Sequence, residues 1–178
     1  MNKMNKMNKI NKINKKILMT FLAVVFVVCL AGCGSDEKQT ELINYINGDA
    51  FKEIGKLEKE MQDSYNSVSG DNYKSDEKMY KEIKDNTSVL ARDLNAKALK
   101  LSEDLEDEKI VKVHKIYIDY TADFLSALNL MESALENQDV SKVSEANEKL
   151  NSSNQKGIDY RTELKKLAKE YDVEIKSE

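Results

Sequence analysis

The chain has no proline and no tryptophan, one histidine, two cysteines and six glycines among its 178 residues. Without proline, no helix is interrupted by a locked φ or a missing amide donor, so breaks must come from glycine and from Asn/Asp turns. Both cysteines, Cys29 and Cys33, lie before residue 34, which excludes a disulfide scaffold for the rest of the chain. The single histidine, His114, has no cysteine partners and makes a poor transition-metal site. Acidic residues are missing from the first 32 positions, where six lysines lie, leaving 22 basic against 32 acidic residues beyond them. So acidic a body argues against a DNA- or RNA-binding module, which needs a basic stripe to displace counterions from phosphates. The length fits one ordinary domain.

What is present begins with an address. Met1 to Lys16 is a basic leader of Met-Asn-Lys and Ile-Asn-Lys triplets, and Met1, Met4 and Met7 each open an identical triplet, leaving the start codon ambiguous. Ile17 to Ala31 is a 15-residue run in which Thr20 is the polar exception, short of the roughly 20 residues a spanning helix needs. It ends in Leu30-Ala31-Gly32-Cys33, which resembles the lipobox of bacterial lipoprotein precursors. Small residues before the cysteine let an extended backbone enter a peptidase cleft, and the thiol is the nucleophile for lipid attachment. The resemblance implies recognition of Leu30, Ala31 and Gly32 by a signal peptidase and cleavage after Gly32. Cys33 would then carry a covalent diacylglycerol, with no other cofactor and no metal expected. Each buried CH₂ of such an anchor contributes about 0.8 kcal/mol and two chains hold durably. The expected organisation is a cleaved signal peptide over 1–32, a lipidated cysteine and polar spacer over 33–40, and a helical domain over 41–178 on the outer face of the cell membrane. The Asn, Lys and Ile bias favours a low-G+C Gram-positive source.

Apolar residues beyond Thr40 recur at helical spacing. Ile43, Ile46, Ala50, Phe51, Ile54, Leu57, Met61, Tyr65 and Val68 form a first stripe that Asn47-Gly48-Asp49 breaks in two. Ser67 to Lys74 reads as a loop, and Ser75 as the cap of a second helix with Met79, Ile83, Thr87, Leu90, Leu94, Ala98, Leu101 and Leu105 on its inner face. Asp107 is the expected cap of a third helix bearing Ile110, Val113, Tyr117, Thr121, Phe124, Leu128, Met131 and Leu135. Asn137-Gln138-Asp139 ends it, and a fourth helix carries Val143, Ala146, Leu150, Ile158, Tyr160, Leu164, Leu167, Tyr171 and Ile175, with Gly157 a weak point in its middle. No useful strand-like alternation appears. The expectation is an all-α, antiparallel up-down four-helix bundle of rods about 45 Å long, the alternative being a three-helix bundle with an extended first segment. Anchored at Cys33, such a bundle would place the loop at Asp71-Asn72-Tyr73 and the turn at Asn137–Asp139 at its distal end. The acidic turn at Glu103–Glu108 and the C-terminus would lie near the bilayer, repelled by anionic lipid.

Candidate chemistry is sparse. The cluster Glu103, Asp104, Glu106, Asp107 and Glu108 lacks EF-hand spacing and reads as a solvated turn with a helix cap. All eight tyrosines lie beyond residue 40, most of them on the core stripes, where an apolar body and a polar tip suit boundary packing. Tyr73, in the loop, is the exception. No serine–histidine–aspartate arrangement and no phosphate-binding glycine motif is present, so the chain is not expected to be an enzyme.

The stretches Leu57-Glu58-Lys59-Glu60 to Tyr65-Asn66-Ser67-Val68, Gly70-Asp71-Asn72-Tyr73, His114-Lys115-Ile116-Tyr117 and Glu145-Ala146-Asn147-Glu148-Lys149-Leu150 resemble small all-helical lipoproteins of low-G+C Gram-positive bacteria. The layout is similar to lipoproteins described as cell-wall-binding. The expected function is therefore a non-enzymatic binding module that presents Asp71, Asn72 and Tyr73 to a cell-wall polymer or a membrane-protein partner. The alternative is a small-ligand carrier or sensor whose core holds its ligand against His114, Tyr117 and Tyr120.

Overall fold

A computed structural model describes residues 26–29 and 36–177. The lipobox residues Leu30, Ala31, Gly32 and Cys33, and most of the signal peptide expected over 1–32, lie outside the described residues. The protein is all-α in its body: α1 (Glu37–Asn47), α2 (Asp49–Val68), α3 (Asp76–Glu82), α4 (Ser88–Ser102), α5 (Glu108–Asn137) and α6 (Val140–Glu170) follow in order. Contrary to expectation, two short strands occur, β1 (Phe26–Cys29) and β2 (Glu174–Ser177), paired antiparallel with Phe26 opposite Ser177. Val27 and Val28 in β1 and Ile175 in β2 are β-branched, which suits an extended backbone.

The helix ends follow capping chemistry. Ser75 Oγ accepts from the Lys78 amide, Asp107 Oδ1 from Lys109 and Ile110, and Asp139 Oδ1 from Ser141, each satisfying a donor that the first helical turn leaves open. α5 stops at Gln138, which adopts the left-handed conformation at φ 53°, a position where glycine is commoner. Gly48 separates α1 from α2 in extended backbone, and a Cβ there would stand 2.6 Å from the Asn44 carbonyl oxygen.

Three features depart from the sequence reading. α1 opens at Glu37, inside the stretch expected to be a spacer, and buries Leu42, Tyr45 and Ile46 while Ala50 is exposed. The break at Gly48 rephases the stripe, so one face does not run through both helices. The second expected helix is interrupted by a π-helical turn over Ile83–Thr87, where the Ser88 amide bonds back to Ile83. Ser64 Oγ donates to Glu82 at 2.7 Å, so the Thr87 hydroxyl donates to Ser64, also at 2.7 Å. This tertiary contact with α2 accompanies the bulge. Ile158, placed on an inner stripe from sequence, is 40% exposed.

Hydrogen bonds set the relative directions of the helices. Between α5 and α6, Tyr120 meets Ser153, Asp123 meets Ser152 and Ser133 meets Lys142. Rising positions on one helix thus meet falling positions on the other, and the pair is antiparallel. At one end of the molecule Gln39 Nε2 donates to the carbonyls of Tyr171 and Asp172, and Glu41 accepts from the amides of Glu106 and Asp107. Tyr171 also donates to Asp107, so the start of α1, the acidic turn and the end of α6 are bound together. The core between the helices includes Phe124, Ile54, Met61, Met79, Ile83, Leu94, Ile110, Leu128, Met131, Leu150 and Leu164, all nearly inaccessible to solvent. Among the described residues no helix is long and apolar enough to cross a membrane.

Candidate functional site

The polar chemistry of the interior converges on two adjoining clusters that bring helices together. In the first, His114 on α5 is fully buried. Its Nε2 lies 2.7 Å from the Ala98 carbonyl of α4, and its Nδ1 lies 2.9 Å from the Tyr45 hydroxyl of α1. A carbonyl only accepts, so Nε2 carries the proton, and burial lowers the pKa of the ring and favours its neutral form. Nδ1 is therefore an acceptor and Tyr45 its donor. The Tyr160 hydroxyl, 2.9 Å from that of Tyr45, must then donate to Tyr45. The result is a chain of one polarity from Tyr160 on α6 through Tyr45 and His114 to the backbone of α4.

In the second cluster the carboxylate of Glu58 on α2 accepts from Tyr117 on Oε2 and from Tyr120 on Oε1, both at 2.9 Å, and from Gln62 at 3.3 Å. The Gln62 contact runs to Glu58 Oε1 from one helical turn later. Tyr117 and Tyr120 are three residues apart on α5 and so share a face. Burial raises the Glu58 pKa to about 6, against the lowering effects of the two tyrosine hydrogen bonds and the nearby charge of Arg161. The clusters adjoin through aromatic packing, with Tyr117 lying 5.0 Å from Tyr160 and stacking on His114 at 6.1 Å between ring centres. All four tyrosines have raised pKa values, chiefly from burial, and stay protonated donors.

The three residues assigned from sequence to a core pocket, His114, Tyr117 and Tyr120, are thus brought together, with their polar atoms turned to protein partners. Sequence reasoning missed Glu58 and Tyr45 as members. The signal for Glu58 was its register: Ile54, Glu58, Met61 and Tyr65 recur at steps of four, three and four, so a carboxylate occupies a stripe position that should be apolar.

The loop residues sit elsewhere. Gly70–Asn72 forms one 3₁₀ turn, with Gly70 at φ 56°. Asp71 and Asn72 are exposed, and Asn72 Nδ2 donates to the Asn66 carbonyl. Tyr73 is not a free aromatic tip, because it is half-buried against the core and its hydroxyl donates to Asp76 at 2.5 Å. In the acidic turn, Asp107 has a lowered pKa: burial pushes it up, but hydrogen bonds from the Ile110 and Lys109 amides and from Tyr171 prevail. Among the described residues no group of three or more His, Cys, Asp or Glu is placed to hold a metal ion.

A further polar centre lies on the α5–α6 seam, where Asp123 accepts from Ser152 and Lys156 at 2.6 Å each and from Lys149 at 3.3 Å. Asn147 on α6 is 6% exposed, and neither atom of its side-chain amide has a hydrogen-bond partner. No family model, no curated protein and no solved structure matches the chain.

Proposed function

We propose that the chain is a membrane-anchored extracytoplasmic lipoprotein whose mature part is an antiparallel up-down four-helix bundle acting as a non-enzymatic interaction module. The observation that carries the reading is Leu30-Ala31-Gly32-Cys33 at the end of a short apolar run with a basic leader, followed within four residues by the first helix of the body. The up-down arrangement is supported by polar contacts that join α1 to α6, α2 to α4 and the turn before it, α4 to α5 and α5 to α6 in opposed directions, as in the ion pair of Glu53 on α2 with Lys97 on α4 and the hydrogen bond of Ser64 on α2 with Thr87 in the π-helical turn. With the anchor at Cys33, the end clasped by Gln39 and Glu41 faces the bilayer, and the turn at Asp71-Asn72 and that at Gln138-Asp139 point away from it.

A distal surface centred on Asp71 and Asn72 is then the part that meets a wall polymer or a membrane-protein partner, with Tyr73 supporting the turn from inside. The carrier reading draws less support, since His114, Tyr117 and Tyr120 direct their polar atoms at Tyr45, Ala98 and Glu58. The test is metabolic labelling of the full chain with an alkyne fatty acid, followed by membrane fractionation. Wild type is expected to lose its first 32 residues and carry the label, and Cys33→Ala to do neither. An unlabelled wild type would end the lipoprotein reading. Sedimentation with peptidoglycan, with and without Ca²⁺, and pull-down of membrane proteins then separate the two partner classes. Asp71→Ala/Asn72→Ala is expected to weaken whichever interaction is found.

A further inference from the structure

α1 is joined to the body as a strap. It is eleven residues long, meets α2 at Gly48 in extended backbone, and sends Leu42, Tyr45 and Ile46 into the core. Its deep polar attachment is the hydrogen bond from Tyr45 to Nδ1 of His114. Around the imidazole stand Tyr45 from α1, the Ala98 carbonyl from α4, Tyr117 from α5 and, one hydroxyl further, Tyr160 from α6. The hydrogen-bond partners of the ring include no carboxylate. Glu58, beyond Tyr117, is engaged by two tyrosine hydroxyls with Arg161 nearby. A second proton on this ring would therefore be a buried charge without a counterion.

We propose that His114 is a proton-operated latch for α1: a proton taken up at Nδ1 places an imidazolium in the core with no carboxylate among its partners, and α1 is released about Gly48 so that the ring meets solvent, while α2 to α6 stay packed. The proton comes from solvent and yields an imidazolium, and Tyr45 keeps its own proton and turns to water. Rotation of the two hydroxyls can reverse the chain, so that Nδ1 donates to Tyr45 and Tyr45 to Tyr160, but the buried charge stays unpaired, and release follows from that charge rather than from a lost acceptor. Burial of the ring disfavours its charged form, which keeps the latch closed at neutral pH. With α1 open, His114 meets solvent and regains a pKa near 6.5. The opening equilibrium then grows up to tenfold for each pH unit between that value and the lower pKa of the closed form. The device is intrinsic to the chain and does not depend on the anchor.

Hydrogen–deuterium exchange of the full chain in detergent, read as protection factors between pH 7 and pH 5, tests it. Amides of residues 41–47 are expected to lose protection up to tenfold per pH unit below about 6.5, with those in the middle of α5 and α6 unchanged. His114→Gln should abolish that dependence and Glu58→Gln should retain it. A pH slope that persists in His114→Gln, or α1 protection that follows α5 throughout, overturns the latch. Should His114→Gln fail to fold, ring-nitrogen NMR on the wild type decides. Titration of His114 below 6.5 together with the α1 amide resonances supports the latch. A pKa at or above 6.5, or α1 resonances that stay still as it titrates, overturns it.

Discussion

The Tyr120 hydroxyl stands 2.9 Å from Oε1 of Glu58, and it helps to keep a carboxylate between α2 and α5 that burial pushes toward its neutral form. The folded pKa of about 6 lies above the ordinary 4.5. The folded state therefore binds more protons than the unfolded one between these values, and Glu58 adds stability as the pH falls through that window. The stability of wild type minus that of Glu58→Gln is expected to grow by on the order of 1–2 kcal/mol from pH 7 to pH 4.5, read by urea unfolding at each pH. A constant difference would show that Glu58 titrates at its ordinary value.

Glu41 caps a helix to which it does not belong. Its carboxylate takes the amides of Glu106 and Asp107 at 2.8 and 3.0 Å, just before α5. Glu41→Ala should cost about 1 kcal/mol and speed amide exchange at 106–110. Glu41→Gln, which keeps an acceptor oxygen, should recover part of the loss.

Backbone conformation makes three residues separable by substitution. Gln138 sits in the left-handed region at φ 53°, so Gln138→Gly should stabilise by about 0.5–1 kcal/mol. A Cβ at Gly157 would rest 3.6 Å from the Tyr120 ring, ordinary contact, so Gly157→Ala should gain up to about 1 kcal/mol of helix propensity. Gly48→Ala should destabilise, because its Cβ would meet the Asn44 carbonyl at 2.6 Å. Thermal unfolding of the three variants checks both signs, each kcal/mol moving Tm by roughly 2–5 °C.

Asn147 carries an amide that is buried and unpartnered. Asn147→Leu, close in shape and apolar, is expected to raise stability by about 1–2 kcal/mol by removing that desolvation cost. A loss in chemical unfolding would mean that the amide has a partner in solution.

The all-α class and much of the punctuation were legible because they rest on local chemistry. Ser75 and Asp107 read as caps, and each accepts an amide of its own helix. Asn47-Gly48-Asp49 read as a break, and α1 ends there. The π-helical turn was not legible, because Ile83, Thr87 and Leu90 keep an acceptable helical spacing and the contact at the bulge comes from Ser64 on another helix. The interior network was half legible. His114, Tyr117 and Tyr120 stood out by type and spacing, but Glu58 sits in a run of charged residues that reads as solvated until α5 sets two hydroxyls against it. Tyr73 reads as a free loop aromatic because nothing in the local spacing shows that its hydroxyl donates to Asp76, the first residue of the next helix.

The grip of Gln39 on the carbonyls of Tyr171 and Asp172 makes the order of the helices along the chain less binding than their contacts. A few residues of linker could join the end of α6 to the start of α1, and new termini could be opened at the exposed turn near Asp71 without cutting a helix. A permuted chain of that kind would keep the same neighbours in space while moving both termini to the opposite pole.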